Sequence, residues 1–320
     1  MSNKARRPNI TSTINGLDIT NYVIDLNYTD NYDKTDDIRL TLSNRERELC
    51  FETGDIITAS IDGFNLGSFE IDQIEQSQTL RIDGVAAPVT SSARSEWKNE
   101  AWAKIPLSGI AGDIAGNAGL ALLFDTTVDP FYDQADQNNK SDLEFLEELC
   151  KSDGLCMKVT DGQLIVYEEA KRESLPPIDT ITKGDSYIIG HPRFTRNAKN
   201  IYKACEILYF CPKTDELYRG YFEAPNIPTG HTLKLREDYN SESDDINLDR
   251  KSRARLRERN KDEWQCNITL KGDTKYESGA NVEFEGFNNF DGKYHIARVS
   301  HSVNNGGYIV SLGVRRCLGY

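Results

Sequence analysis

Through the first ninety residues, apolar positions alternate with polar ones in short runs broken by turn residues. Ile10 to Ile14 lead into Asn15-Gly16, a strong two-residue hairpin signal, and Leu17 and Ile19 resume the alternation. The same period predicts strands over 22–28, 38–42, 56–61, 68–74 and 80–85, separated by turn-rich pieces such as DNYDKTDD and DGFNLG. Many short strands at this spacing predict a barrel or a sandwich.

The period then changes. After Pro106, Ile110, Ile114 and Ala118 recur at helical spacing and Gly119 supplies a stop. The polar stretch VDPFYDQADQNN reads as a loop. Ser141 and Glu144 stand three apart, as a capping box requires, and Leu143, Leu146, Leu149 and Cys150 form one apolar face ending at Gly154. A hairpin follows, with Leu155, Met157 and Val159 on one arm, Asp161-Gly162 at the turn, and Leu164 and Val166 on the other. Residues 168–185 are charged and carry two adjacent prolines, which predicts a linker. Strands resume at Ile188 and are predicted over 201–210, 217–222, 231–235, 264–270, 281–284, 294–302 and 308–314. An acidic loop (REDYNSESDD) and a very basic helix over 248–261 interrupt them.

One pattern occurs twice. Residues 67–77 read GSFEIDQIEQS and residues 292–302 read GKYHIARVSHS. Gly67 matches Gly292, Phe69 matches Tyr294, Ile71 matches Ile296 and Ile74 matches Val299, all at one constant offset. Upstream, Gly63-Phe64-Asn65 matches Gly286-Phe287-Asn288 with a two-residue difference; downstream, Leu80 to Gly84-Val85 matches Ile309 to Gly313-Val314. In both copies an aromatic and an isoleucine sit two apart, but the next apolar residue comes three later. A strand that changes its inward face in this way needs a bulge or burial on both sides. The repeat predicts one β unit used twice around an α/β insertion, and two similar units per subunit let a threefold ring present an approximately sixfold face.

Composition narrows the chemistry. The 320 residues hold 38% hydrophobic and 28% charged side chains, as folded proteins do, and no apolar run is long enough to cross a bilayer. The N-terminus lacks an apolar signal region, so synthesis and folding in a cytoplasm are expected. Seven cysteines without a C-x-x-C spacing predict reduced, mostly buried thiols. The net charge of −13 argues against a general or sequence-specific nucleic-acid binder. That charge is unevenly placed, with −6 over 1–95, −10 over 96–190 and +3 over 191–320.

No catalytic, metal or cofactor site is predicted. The glycine-rich GIAGDIAGNAG lacks the lysine of a phosphate loop. His295 and His301, six residues apart on one predicted strand, would be about 20 Å apart, too far to share an ion. Adjacent acids such as Glu147-Glu148, Glu168-Glu169 and Asp244-Asp245 read as solvated charge. The basic helix, with Arg253, Arg255, Arg257 and Arg259, is either a solvated face or a contact with an acidic neighbour.

The strands ending in GSFEIDQIE, the segment SDLEFLEELCKSDGLCMKV…DGQLIVYE and the C-terminal GANVEFEGF…DGKYHIARVSHSVNNGGYIVSL resemble the late control D family of phage tail proteins. These are baseplate hubs of contractile tails, related to the hub region of VgrG spike proteins. The resemblance implies a mainly β fold with two similar tube-type β-barrel domains, 1–95 and 188–320, flanking an α/β domain at 96–187. It further implies a homotrimer whose pseudo-sixfold ring joins the tail tube protein to a central spike protein carried on a separate chain, beside other baseplate proteins. Synthesis in a bacterial host and incorporation into the virion baseplate or a tail-like particle follow, with no membrane insertion and no attached hydrolase. The alternative reading is a β-rich carbohydrate-binding or hydrolase domain without a recognisable catalytic motif.

Overall fold

The computed structural model describes residues 7–43, 49–87, 96–199, 201–211, 214–227, 229–237 and 247–320. Most of the predicted acidic loop and the Asp244-Asp245 pair lie outside the described residues. Seven strands come first: β1 (Ile10–Ile14), β2 (Leu17–Asp18), β3 (Val23–Asn31), β4 (Asp37–Ser43), β5 (Ile56–Ile61), β6 (Phe64–Gln76) and β7 (Thr79–Val85). The middle holds β8 (Lys98–Pro106), α1 (Leu107–Asn117), β9 (Ala121–Asp125), β10 (Phe131–Lys140), α2 (Asp142–Ser152), β11 (Leu155–Thr160), β12 (Gln163–Glu168) and α3 (Glu169–Ser174). There follow β13 (Asp179–Thr182), β14 (Ile188–Arg196), β15 (Tyr202–Cys211), β16 (Glu216–Glu223), β17 (His231–Arg236) and α4 (Leu248–Asn260). The last strands are β18 (Trp264–Lys271), β19 (Asn281–Glu285), β20 (Gly292–Asn304) and β21 (Gly307–Arg316).

The fold is mainly β, built on one large and predominantly antiparallel sheet. Its 13 strands run β14-β18-β21-β20-β3-β4-β7-β6-β5-β1-β2, with β19 and β13 attached beside β20. Strands from both ends of the chain therefore share one sheet and one core. Leu26, Ile38, Leu40, Ile57, Phe69, Ile71 and Ile82 are buried in the same cluster as Ile268, Tyr294, Ile296, Val299 and Leu312.

The middle segment packs α1 and α2 on β9, β11 and β12. Ser141 caps α2 by accepting from the Glu144 N–H at 3.3 Å, and Leu143, Phe145, Leu146 and Cys150 are buried. The β11–β12 turn uses Asp161 and Gly162 at φ +44° and +70°, the left-handed pair that a two-residue hairpin needs. Two expectations fail here. The stretch read as a polar loop contains β10, which pairs with β8 as a two-stranded ribbon. Residues 168–185 are no free linker, because α3 buries Glu169 and Glu173 and β13 runs parallel to β19.

Within 188–320, β15, β16 and β17 form a separate sheet, and α4 lies against it with Leu248 and Leu256 in their shared core. Asn247 caps α4, its side chain accepting from the Arg250 N–H at 2.9 Å. The helix approaches so closely that a Cβ on Gly220 would stand 2.3 Å from the Leu248 carbonyl oxygen.

Candidate assembly surface

The repeated unit is a meander, β5-β6-β7 in the first copy and β19-β20-β21 in the second. Each begins at a glycine in the left-handed region, Gly54 at φ +92° and Gly279 at φ +82°. The Gly54 N–H donates to the Ile71 carbonyl at 2.9 Å, as the Gly279 N–H does to Ile296 at 2.9 Å. Ile71 and Ile296 return the bond to Asp55 and Ala280 at 2.9 and 2.8 Å.

Immediately after those isoleucines both ladders skip one residue. Pairing passes from Ile71/Gly84 to Gln73/Asp83, leaving out Asp72, and from Ile296/Val314 to Arg298/Gly313, leaving out Ala297. Phe69, Ile71, Tyr294, Ile296 and Val299 are buried and Ile74 is half-buried, so each bulge carries the change of inward face. Gly67 and Gly292 both have positive φ, +101° and +129°; the first abuts Asp161 of the β11–β12 turn and the second the Arg316 side chain.

Two of the finer matches need correction. The ladders pair Gly84 with Ile71 and Val314 with Ile296, so Gly84 corresponds to Val314, one residue beyond the glycine match. Leu80, Ile82 and Gly84 then correspond to Val310, Leu312 and Val314, all buried. Upstream, Ala59 pairs Gly67 and Phe284 pairs Gly292 across spans of equal length, so no two-residue difference exists. A glycine has no side chain to show which face it occupies, and matching glycines misplaced both ends.

The two copies are joined inside the chain. The far half of β20 pairs with β3 in antiparallel register, from Arg298/Asn31 through His301/Tyr28 to Val303/Leu26. Among the described residues, the corresponding half of β6 has β7 as its only ladder partner.

Two buried polar clusters hold this arrangement. In the first, Glu169 and Glu173 of α3 meet Arg257 of α4 and Arg315 of β21. Arg257 Nη2 lies 3.1 Å from Glu169 and 2.7 Å from Glu173, and Arg315 Nη2 lies 2.7 Å from Glu169. Arg315 Nη1 approaches Glu173 at 2.6 Å off the hydrogen-bond axis. The Leu318 N–H donates to Glu173 at 3.0 Å. Burial opposes the charge on Glu169, but Arg315 and Arg257 outweigh it and hold the carboxyl at about 2. Asn281 donates to the Arg172 and Leu175 carbonyls at 2.9 Å, and its Oδ1 lies 3.0 Å from His295 Nδ1.

In the second cluster Lys158 of β11 contacts Asp30 of β3 and lies 3.2 Å from Asp36, while the Ser278 N–H donates to Asp30 at 2.6 Å. Burial lifts Asp36 to about 7, against the pull of Lys158.

The basic helix is therefore not one outward face. Arg257 is 4% exposed and its acidic partners lie in the same chain, which overturns its reading as an intermolecular contact. Arg255 is half-buried and pairs with Glu237 at 2.8 Å, and Arg253 lies over the Phe222 ring. Arg250 and Lys251 reach Asp153 at 2.6 and 3.0 Å. Of the four arginines singled out, Arg259 alone is exposed.

His295 and His301 are buried on β20. His301 meets the Tyr308 hydroxyl at 2.7 Å. Burial lowers them to about 3 and about 4, so both are neutral structural groups at pH 7. No disulfide joins the seven cysteines, five of which are buried.

No family model matches the chain, and no curated protein matches it. Solved structures do. The 43 kDa tail protein of prophage MuSo2 from Shewanella oneidensis superposes with a TM-score of 0.72 at 14% identity, over 97% of each chain. A tail protein from Neisseria meningitidis MC58 gives 0.72 at 15%, again over 97% of each. A Francisella PdpA–VgrG complex gives 0.61 at 10%, over 100% of this chain and 59% of that one. With its repeated meander, one continuous sheet and an α/β segment between the copies, this chain has the fold of these prophage tail and VgrG proteins.

Proposed function

We propose that the protein is a structural hub subunit of a phage tail or tail-like injection particle. Three copies form a ring that joins the hexameric tail tube to a central spike. The observation that carries this reading is the β5-β6-β7/β19-β20-β21 pair, with the same glycine entry, the same isoleucine bonds and the same bulge in each copy. Two equivalent units per chain give a trimer six equivalent positions, which is what a threefold hub needs to meet a sixfold tube. Residues 1–95 and 188–320, with β13 attached beside β19, supply the two tube-type units, and the rest of 96–187 the α/β part between them. The role is assembly, without catalysis. The chain is made in the bacterial cytoplasm and ends in the particle's baseplate, beside the tube protein, the spike and other baseplate proteins.

Native mass spectrometry of the protein, alone and mixed with the tube and spike proteins of the same particle, tests this. A species of three chains, each of 36.1 kDa, is expected in at least one mixture. A monomer in every mixture overturns the reading.

A further inference from the structure

From the repeated meander the correspondence extends outward one strand at a time. β7 corresponds to β21, and each has one further neighbour, β4 and β18. Through those ladders Ile38, Leu40 and Leu42 correspond to Cys266, Ile268 and Leu270, and all six are buried. The next strands out are β3 and β14, which places Tyr28 opposite Ile38 and Phe194 opposite Cys266. A ring contact supports this last step independently. Tyr28 meets Phe69 edge to face at 5.9 Å and 69°, and Phe194 meets Tyr294 at 6.4 Å and 67°.

β14 is thus the second copy's β3, and β6 is the first copy's β20. β20 and β3 are paired within the chain, whereas among the described residues the outer edges of β14 and of the far half of β6 have no ladder partner. We infer that β14 of one subunit pairs antiparallel with the far half of β6 of the next, in the register of the internal joint. Carrying Arg298/Asn31, Val299/Asp30, Ser300/Thr29 and His301/Tyr28 across gives Gln73 opposite Asn197, Ile74 opposite Arg196, Glu75 opposite Thr195, and Gln76 opposite Phe194. The occupant of this edge is a second copy of this chain. Charge agrees: the β6 edge exposes Glu75, no nearer than 3.9 Å to Arg81, and the β14 edge exposes Arg193, while Arg196 beside it is already paired with Glu263 at 3.1 Å. In this register Glu75 and Arg193 are diagonal neighbours on one face, within reach of each other. The inference rests on the trimeric ring proposed above, and specifies which backbones close it.

Cysteine crosslinking tests it in the full-length protein under the conditions where the ring forms. Paired strand residues have Cα separations that a disulfide spans. Glu75→Cys with Thr195→Cys should give crosslinked trimer on non-reducing gels, while Thr29→Cys with Ser300→Cys should crosslink within one chain. The unsubstituted protein controls for its own thiols. In parallel, Glu75→Arg or Arg193→Glu alone should weaken association about tenfold, and the two together should restore it. A ring that forms by mass while 75/195 stays uncrosslinked and 29/300 crosslinks overturns this pairing and leaves the hub reading standing. Failure of any ring to form overturns both. Circular dichroism on each variant, with the charge swaps as a second route, separates misfolding from lost pairing.

Discussion

Tyr294 stands in the second copy where Phe69 stands in the first, each fully buried and each touched edge to face by an aromatic from the strand three places along the sheet. Truncating either ring removes a comparable contact and leaves a comparable void. Phe69→Ala and Tyr294→Ala should each lower the unfolding free energy by about 3–5 kcal/mol, read from urea titrations. A loss under about 1 kcal/mol at one position only would show that the copies are not energetically equivalent.

The cluster of Glu169, Glu173, Arg257 and Arg315 is costly to break and cheap to replace. Glu169→Gln or Arg315→Met alone leaves buried charge uncompensated and should destabilise by about 3–5 kcal/mol. Replacing all four with apolar residues of similar volume should cost less than either single change. Thermal melts of the three variants give the order directly, and a fourfold variant worse than both singles would contradict the argument.

Acid should destabilise the protein well before bulk carboxylate protonation. His295 and His301, lowered to about 3 and about 4 in the fold, accept protons near pH 6.5 once unfolded. Stability is thus lost as pH falls from about 6.5 towards 4, with a slope approaching two protons, about 2.7 kcal/mol per pH unit. Asp36 has the opposite sign. Its carboxyl is lifted to about 7, so the fold holds a proton there that the unfolded chain releases near pH 4. Its contribution is lost as pH rises from about 4 to 7. Urea midpoints across pH 4–8 for the parent, His295→Gln and Asp36→Asn separate the two effects.

Gly220 should not tolerate a side chain. Its substitution by alanine meets the Leu248 backbone at 2.3–2.4 Å and should cost about 1–3 kcal/mol through displacement of α4. Gly313→Ala, whose nearest neighbours lie at 3.6 Å, should be neutral or slightly stabilising. Hydrogen exchange across 248–260 is the sensitive readout for the first.

Much of the β framework was legible because its strands bury one face, and burial on one face writes itself as alternation. The change of face after Ile71 and Ile296 appeared in the spacing alone. β8 and β10 were missed in part because KNEAWAKIP and FYDQADQNNK form a largely half-exposed or exposed ribbon, with no strict period to read. Glu169 looked like solvated charge, and Glu173 like part of a linker, because their arginine partners lie 84 to 146 residues away. Nothing local distinguishes a carboxylate that will be buried against a distant guanidinium from one that stays in water. The β14 edge was similarly silent, since its significance comes from what the other copy already pairs with.

The hairpin between β20 and β21 is longer than its counterpart between β6 and β7, running through Asn304 to Gly307 where the first copy turns at Ser77 and Gln78. In a closed ring that added length would recur at every second position, like alternating teeth on a gear. A partner resting on the shared strands would find six nearly identical seats. One that reaches the hairpins would find three, and could lock in only three orientations.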